Sequence, residues 1–579
     1  MSAAEMQRGD SSHSHFSSGS TVYDDEAAID RIWRDDRRIW IPAGPSEDSR
    51  RTLVLCFDGT GDEFDSDNSN VVQLCSMLRK DDTTKQLVYY QAGIGTYAES
   101  SFTPFAYISS TLDEMFATKL GVHIQEGYEF LMQNYTRGDK ICIFGFSRGA
   151  YTARALAGML QKVGLLPLHN FQQVPFAYNM YKRDDPEGLE LSELFKRTFC
   201  RQVHVDFLGV WDTVASVGAI PRYLPFVNEN NSIRHLRHAL ALDERRIKFL
   251  PSYCVEPKKK ARNGLQGDTD SPPPLRRISS DAKRYEDAIN SQERATDVKE
   301  VWFAGVHCDV GGGSVKNNTP HALARIPLRW MIRECFRCDT GITFDAVMLQ
   351  QIGLNVKRDK SGKVVLLDVP DRIPSSPPED APIQEKTTFA EFLGALAHLA
   401  WGIISAPFKR LFSIFRTSLH AATHAKHRRQ VVPARRQEVI EYKLKDDIDE
   451  NYEAAEEQKD ALSPLYDQLT QNWLWVVMEY LPMRIKKQKA IVRDIENSEG
   501  FKWIVNRGRG RKIFKHEMKE GMRVHRSVKT RLEAGPIFFN GHYIPRVRPS
   551  IGPGKKREPR TLDHHEWNVD DPAYWEWVD

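Results

Sequence analysis

Lys140–Phe144 (KICIF) runs straight into Gly145-Phe146-Ser147-Arg148-Gly149, and a helix-forming stretch, Ala150–Val163, follows without a gap. A serine caught on so sharp a strand-to-helix turn must hold a strained backbone. Glycines two residues to either side remove the side chains that would collide with that turn. The turn lifts the hydroxyl off the sheet, and the helix start presents free N–H groups and a positive dipole end to negative charge forming there. Ala150 and Ala153 keep the elbow slim. A glycine-rich turn with an idle serine is the alternative, and the flanking strand and helix argue against it.

Other short apolar runs fit the same sheet: Arg51–Phe57 (RTLVLCF), Gln86–Gln91 (QLVYYQ), Val203–Val210 (VHVDFLGV) and Glu300–Val306 (EVWFAGV). They are continuous rather than alternating, as strands buried on both faces require. Helical stretches, such as the amphipathic one around Thr118–Tyr135, separate them. That alternation predicts an α/β fold with a mostly parallel sheet flanked by helices.

A nucleophilic serine needs a base, and the base needs an orienting carboxylate. In an α/β-hydrolase-like chain the order is Ser, acid, His, with acid and base at the carboxyl ends of later strands. Asp212 ends the run GVWD, and His307 follows EVWFAGV. Taken singly, Asp212 could merely cap a turn and His307 could be a packed histidine held by Asp309. Asp309, two residues after His307, is the alternative acid. For an oxyanion hole, one donor is the N–H of Arg148, the residue after the serine. The other is expected from Gly59 or Thr60 in the loop LCFDGTG, with Asp58 tying that loop down. His238, in a helical pattern, reads as structural, and His525 as a packing or pocket residue.

At these residues the chain resembles the α/β-hydrolase family that includes the phospholipase effectors of bacterial type VI secretion and fungal homologues. The segments that carry the resemblance are FDGTGDE (57–63), SNVVQL (69–74), YYQAGIGT (89–96), IFGFSRGAYTARALAGML (143–160), GVWDTVASVG (209–218), HALALDERR (238–246), EVWFAGVHCDVGGG (300–313) and IPLRWMIRE (326–334). Weaker similarity lies in EYLPMR (479–484) and VHRSVKTRL (524–532). The resemblance implies a Ser–Asp–His hydrolase, carried onto Ser147, Asp212 and His307, and a lipid as the substrate class.

Composition bounds the rest. The 579 residues, 41% apolar and 10% aromatic, exclude a mainly disordered or fibrous chain. A formal charge of +3, from 81 basic and 78 acidic residues, is too balanced for a dedicated nucleic-acid binder. The eight cysteines are scattered, so no disulfide framework is implied. Cys335-Phe-Arg-Cys338 has no second pair at zinc-site spacing and lies in a helical pattern. No cofactor or metal is therefore expected.

Residues 1–49 read as a disordered arm, 50–345 as the catalytic domain with a flexible insertion at 255–296, and 346–579 as a C-terminal helical or irregular elaboration. Within the last, Phe389–Phe408 is the longest apolar stretch, and Lys409, Arg410 and Arg416 follow it. It is a lid or core helix, a helix lying on an anionic lipid surface through 389–416, or a span. The expected location is cytoplasmic, with membrane association if that stretch docks. The reading is an ester hydrolase of lipase or phospholipase type, with a lipid or small ester as its partner. Its rivals are a catalytically inactive hydrolase-fold scaffold and a peptidase. Oligomeric state is not legible.

Overall fold

The computed structural model describes residues 38–45, 50–60, 62–93, 105–214, 224–254, 295–368, 443–449, 451–471, 473–486, 501–513, 522–534, 543–549 and 575–579. Contacts divide the chain into Met1–Ile39 and Trp40–Asp579, and the second unit carries everything below. Its centre is an eight-stranded sheet. In chain order the strands are β1 (Thr52–Phe57), β2 (Gln86–Gln91), β3 (Lys140–Phe146), β4 (Val205–Trp211), β5 (Ile233–Ala241), β6 (Asp297–Phe303), β7 (Met522–His525) and β8 (Trp575–Val578). Across the sheet they lie β8-β7-β6-β5-β4-β3-β1-β2. Every neighbouring pair is parallel, in registers such as Leu55 with Ile143, Phe144 with Gly209 and Ala239 with Val301. This is the α/β-hydrolase fold class that the buried apolar runs predict.

Two helices set the geometry of the core: α1 (Phe105–Asn134) and α2 (Ser147–Val163). Of the residues in α2, all but Arg148 are buried. Alanines and Gly158 make this approach possible, because a Cβ at Gly158 would strike the Pro225 carbonyl and the Tyr181 hydroxyl. Leu53, Leu55 and Ile143 of the sheet pack with Leu156 and Leu160 of α2 and with Ile124 and Leu131 of α1. Arg154, buried mid-helix, donates to the carbonyls of Val227 (2.9 Å), Ser252 (2.5 Å) and Tyr253 (3.1 Å). A guanidinium so satisfied anchors the segment that leaves β5.

Three expectations change. First, His238 is not on a helix; it lies in β5, a strand buried along most of its length. A strand covered on both faces loses its period of two, so its apolar spacing mimics a helix. Second, Trp40–Pro42 pairs antiparallel with Thr343–Asp345, so the disordered-arm reading does not hold there. Third, 346–579 is not a helical elaboration beside a finished sheet. β7 and β8 come from it, with Val524 opposite Trp302 of β6.

The same region is bolted on by charge. In α4 (Arg325–Arg337), which follows the short helix α3 (His307–Gly311), Arg333 donates to Glu453 (2.7 Å) and Arg329 to Asp460 (2.6 Å), while Arg526 pairs with Glu457 (2.9 Å). These three acids lie on one side of α5 (Tyr452–Ala461). Buried carboxylates at such spacing survive because each has a guanidinium partner, a two-nitrogen fork at Glu453 and Glu457 and a single nitrogen at Asp460. The expected insertion 255–296 is described only at its last two residues, and Phe389–Phe408 lies outside the described residues. Among the described residues no helix is long and apolar enough to cross a membrane.

If β7 is integral to the core, Val524→Asp buries an unpaired charge at a fully buried position. It should cost about 3 kcal/mol or more and lower the melting temperature by roughly 5 °C or more. An unchanged melting curve would show that the strand is dispensable.

Candidate active site

The elbow is as tight as its glycines suggest. Ser147, the first residue of α2, has φ +57°, a left-handed value costly for a residue with a Cβ. A Cβ at Gly149 would run into the carbonyls of Phe57 and Asp58, and one at Gly145 into the backbone of Gly149 and Ala150. The two glycines thus let β3, α2 and the end of β1 meet.

Ser147, Asp212 and His307 come together. His307 Nε2 lies 2.8 Å from Ser147 Oγ, and His307 Nδ1 lies 2.5 Å from Asp212 Oδ2. All three are buried, Ser147 the least so at 6% exposed. The imidazole sits between the rings of Phe146 and Phe249, each 4.7 Å away between centroids. Those rings exclude water and fix its plane. Burial lowers the basicity of His307, the Asp212 carboxylate pulls the other way, and Arg246 adds to the lowering. The neutral ring, with its proton on Nδ1 facing Asp212, therefore leaves Nε2 to accept from Ser147.

Asp212 also has a positive φ, +40°. Its N–H donates to the Ala239 carbonyl (2.7 Å), and its Oδ1 accepts the Ala241 N–H (2.9 Å). His238 holds the next residue. Its Nε2 accepts the Thr213 N–H at 3.0 Å, so its proton sits on Nδ1 and is given to Glu300 at 2.7 Å. The structural role read for His238 stands, on a strand rather than a helix.

Asp309 points elsewhere. Its carboxylate accepts the N–H groups of Val306 (3.0 Å) and Tyr466 (3.2 Å), bracing the turn that carries His307. Burial raises its pKa to about 7. His525 is a packing residue: it is buried, stacked on Phe303, with Nδ1 on the Ser527 hydroxyl at 2.9 Å.

The oxyanion assignment needs one correction. The Gly59 N–H is already given to Asp58 Oδ1 at 2.8 Å, so Gly59 is not an available donor. Asp58 ties down its loop as expected, also accepting from Ser69 (2.7 Å) and Tyr90 (2.9 Å). Thr60 and the start of α2 at Arg148 keep their place as candidates. Thr60 lines a small cavity with Asp58, Gln91, His123, Gly149 and Thr152. Its buried hydroxyl has no partner among the described residues.

Arg511 was missed altogether. It grips Asp212 with both nitrogens, Nη1 to Oδ1 at 2.5 Å and Nη2 to Oδ2 at 2.7 Å. Burial would raise the Asp212 pKa, yet Arg511 and His307 hold it far below the carboxylate range. In the sequence Arg511 is one arginine in a turn-rich run, GRGRK, with no signal pointing to a residue 299 positions away.

Among the described residues two groups bring metal-type donors within 4.8 Å, His235–Asp297–Cys338 and His238–Cys254–Glu300. In the first, Arg237 donates to Asp297 (2.7 Å) and Cys338 (3.1 Å). In the second, both His238 nitrogens are engaged as above. Neither donor set is free for a cation. Of the Cys335–Cys338 pair, only Cys338 belongs to such a group.

Asp309 yields a pH test. Its unfolded carboxyl ionises near 3.9, and its folded one at about 7. The folded pKa is raised, so the associated stability is whole below about pH 4 and is lost as pH rises through 7. Asp309→Asn cannot titrate. Its melting temperature relative to wild type should therefore climb by a few degrees between pH 5 and pH 8, and a flat difference would refute the buried-acid description.

Residues 51–334 match the family model described as T6SS, phospholipase effector Tle1-like, catalytic domain. An uncharacterized protein of Saccharomyces cerevisiae is 30% identical over 390 residues, covering 50% of this chain and 57% of the relative. The chain thus spans less than two thirds of that relative's length. Among solved structures, an uncharacterized protein from Pseudomonas aeruginosa is 17% identical with a TM-score of 0.26, covering 55% of this chain and 48% of that one. The Tle1 effector bound to the VgrG spike of the type 6 secretion system is 18% identical with a TM-score of 0.25, covering 47% and 52%.

Proposed function

From the match of residues 51–334 to the Tle1-like catalytic-domain model of type VI secretion phospholipase effectors, we propose that this protein is a serine hydrolase of carboxylic esters, with lipid esters as its substrate class. The observation that carries the reading is the continuous hydrogen-bonded line from Ser147 Oγ through His307 to Asp212, 2.8 Å and 2.5 Å, at the N-terminus of a long buried helix.

In this mechanism Ser147 Oγ attacks the ester carbonyl while His307 Nε2 takes its proton. The buried imidazolium so formed is stabilised by Asp212, which stays ionised and fixes the tautomer. Charge on the carbonyl oxygen develops at the first turn of α2, where the Arg148 N–H and the Thr60 loop act as donors. Collapse expels the alcohol, which takes the proton from His307 and leaves an acyl group on Ser147. Water then repeats the sequence, with His307 first as base and then as acid. An ester suits a site walled by Phe146 and Phe249, since desolvation strengthens each charge interaction during turnover.

A panel of p-nitrophenyl esters and phospholipid vesicles, run with wild type beside Ser147→Ala, tests the reading. The variant should keep the wild-type melting temperature, lose labelling by a fluorophosphonate probe and lose hydrolysis on the order of 10⁴-fold or more. A folded Ser147→Ala protein with full activity would sink the assignment.

The acid is tested separately. Asp212→Asn favours the wrong tautomer of His307 and should lower kcat by orders of magnitude. Asp309→Asn, which touches the loop and not the imidazole, should be milder. The reverse ranking, in variants of equal stability, would transfer the role to Asp309.

A further inference from the structure

Orienting one imidazole requires one carboxylate oxygen, yet the Asp212 carboxylate is saturated. Oδ1 accepts from the Ala241 N–H (2.9 Å) and Arg511 Nη1 (2.5 Å); Oδ2 accepts from Arg511 Nη2 (2.7 Å) and His307 Nδ1 (2.5 Å). Arg511 has almost no exposed surface and lies outside the segment matched by the family model. It is itself held rigidly, donating to the carbonyls of Ala241 (3.0 Å) and Phe249 (2.7 Å). Its backbone is clamped as well. Lys512–Ile513 pairs with Arg548–Pro549, the Arg548 N–H donates to the Arg511 carbonyl at 2.7 Å, and the Tyr253 hydroxyl donates to Lys512. A Cβ at Gly510 would collide with the Arg546 carbonyl, so only glycine lets this segment approach.

The charges around His307 can be set out by element. Ser147 faces it from α2, Asp212 from the loop after β4, and Arg511 from the C-terminal segment. From the segment after β5 come Glu244, which accepts the His307 N–H at 3.2 Å, and Arg246, paired with Glu244 at 2.8 Å. Cys308 and Asp309 belong to its own short helix, with Asp309 turned toward Val306 and Tyr466. Each ionised carboxylate near the imidazole therefore has its own guanidinium, so a proton on His307 meets an Asp212 charge that Arg511 has already partly offset.

We propose that Arg511 is a positioning residue acting through Asp212: it locks the carboxylate plane on His307 Nδ1 and offsets part of its charge, so that His307 stays unprotonated and competent as a base into mildly acidic pH. This rests on the Ser147–His307–Asp212 reading above. Two consequences separate it from mere bracing. Removing the positive charge leaves the imidazolium as the cationic partner of Asp212, so protonation of His307 becomes easier. Keeping the charge while losing the fork loosens orientation without the same electrostatic change.

The test is the pH dependence of the rate at which a fluorophosphonate labels Ser147, a reaction in which Oγ displaces fluoride and His307 takes the hydroxyl proton. In wild type the acidic limb should lie below the ordinary histidine value of about 6.5. In Arg511→Gln it should move up by about one unit, which is tenfold less free base on the acidic side. Arg511→Lys should keep the limb near wild type and label roughly tenfold more slowly at its plateau. A wild-type limb at or above 6.5 overturns the proposal without any variant, which covers the case that Arg511→Gln does not fold. So does a folded Arg511→Gln that labels slowly at every pH with the limb unmoved, because bracing alone predicts that. Mass-spectrometric mapping keeps the two readings apart: a label absent from Ser147 in wild type refutes the hydrolase reading, whereas a label on Ser147 with unmoved limbs refutes only the role of Arg511.

Discussion

The approach of α2 to the carboxyl ends of β1 and β3 is the constraint on which the rest depends. At Gly149 the helix backbone rests against the carbonyls of Phe57 and Asp58, with no room for a side chain. That contact fixes where Ser147 points, because the positive φ of the serine is tolerable only while both neighbours are pinned. It also sets the first turn of α2 beside the Thr60 loop. The candidate nucleophile and its candidate anion donors are thus consequences of one backbone packing event.

A second dependence is electrostatic. The interior holds many charged groups, and they are arranged as forks: Arg511 on Asp212, Arg246 on Glu244, Arg333 on Glu453, Arg526 on Glu457. Such pairs add little net stability over apolar packing, but losing one partner is costly. Their consequence here is specificity of assembly. The C-terminal half docks on the sheet with each of these forks satisfied, and Arg511 reaches Asp212 in that same arrangement. Site and C-terminal half are therefore coupled, and the hydrolase core is not a separable unit ending near residue 345.

The rings around His307 link this coupling to chemistry. Phe249 touches His307 and also Trp475 of the C-terminal half, with ring centroids 5.6 Å apart, while Arg246 lies over both Phe249 and Trp475. The imidazole is dry because segments from opposite ends of the chain close on it. Dryness lowers its basicity and strengthens its bond to Asp212 at once.

What the sequence by itself determined was local. The strand–Gly-x-Ser-x-Gly–helix elbow and the continuous apolar runs of a parallel sheet follow from adjacent residues whose steric and hydrogen-bonding needs are met within a few positions, and the order Ser147, Asp212, His307 was legible because each residue ends such a run. The rest was decided by tertiary structure, because it depends on partners distant in the chain. His238 looked helical since a strand buried on both faces has no alternation to betray it. Asp309 was a reasonable acid by spacing, but Val306 and Tyr466 claim its carboxylate. Gly59 was a reasonable donor until Asp58 took its N–H. The acids of α5 have no arginine partners nearby in the chain, and only the fold brings Arg333, Arg329 and Arg526 to them. Arg511 left no mark at all: an arginine in a turn-rich tail comes to the candidate active site only when a strand from the same tail enters the sheet beside β6.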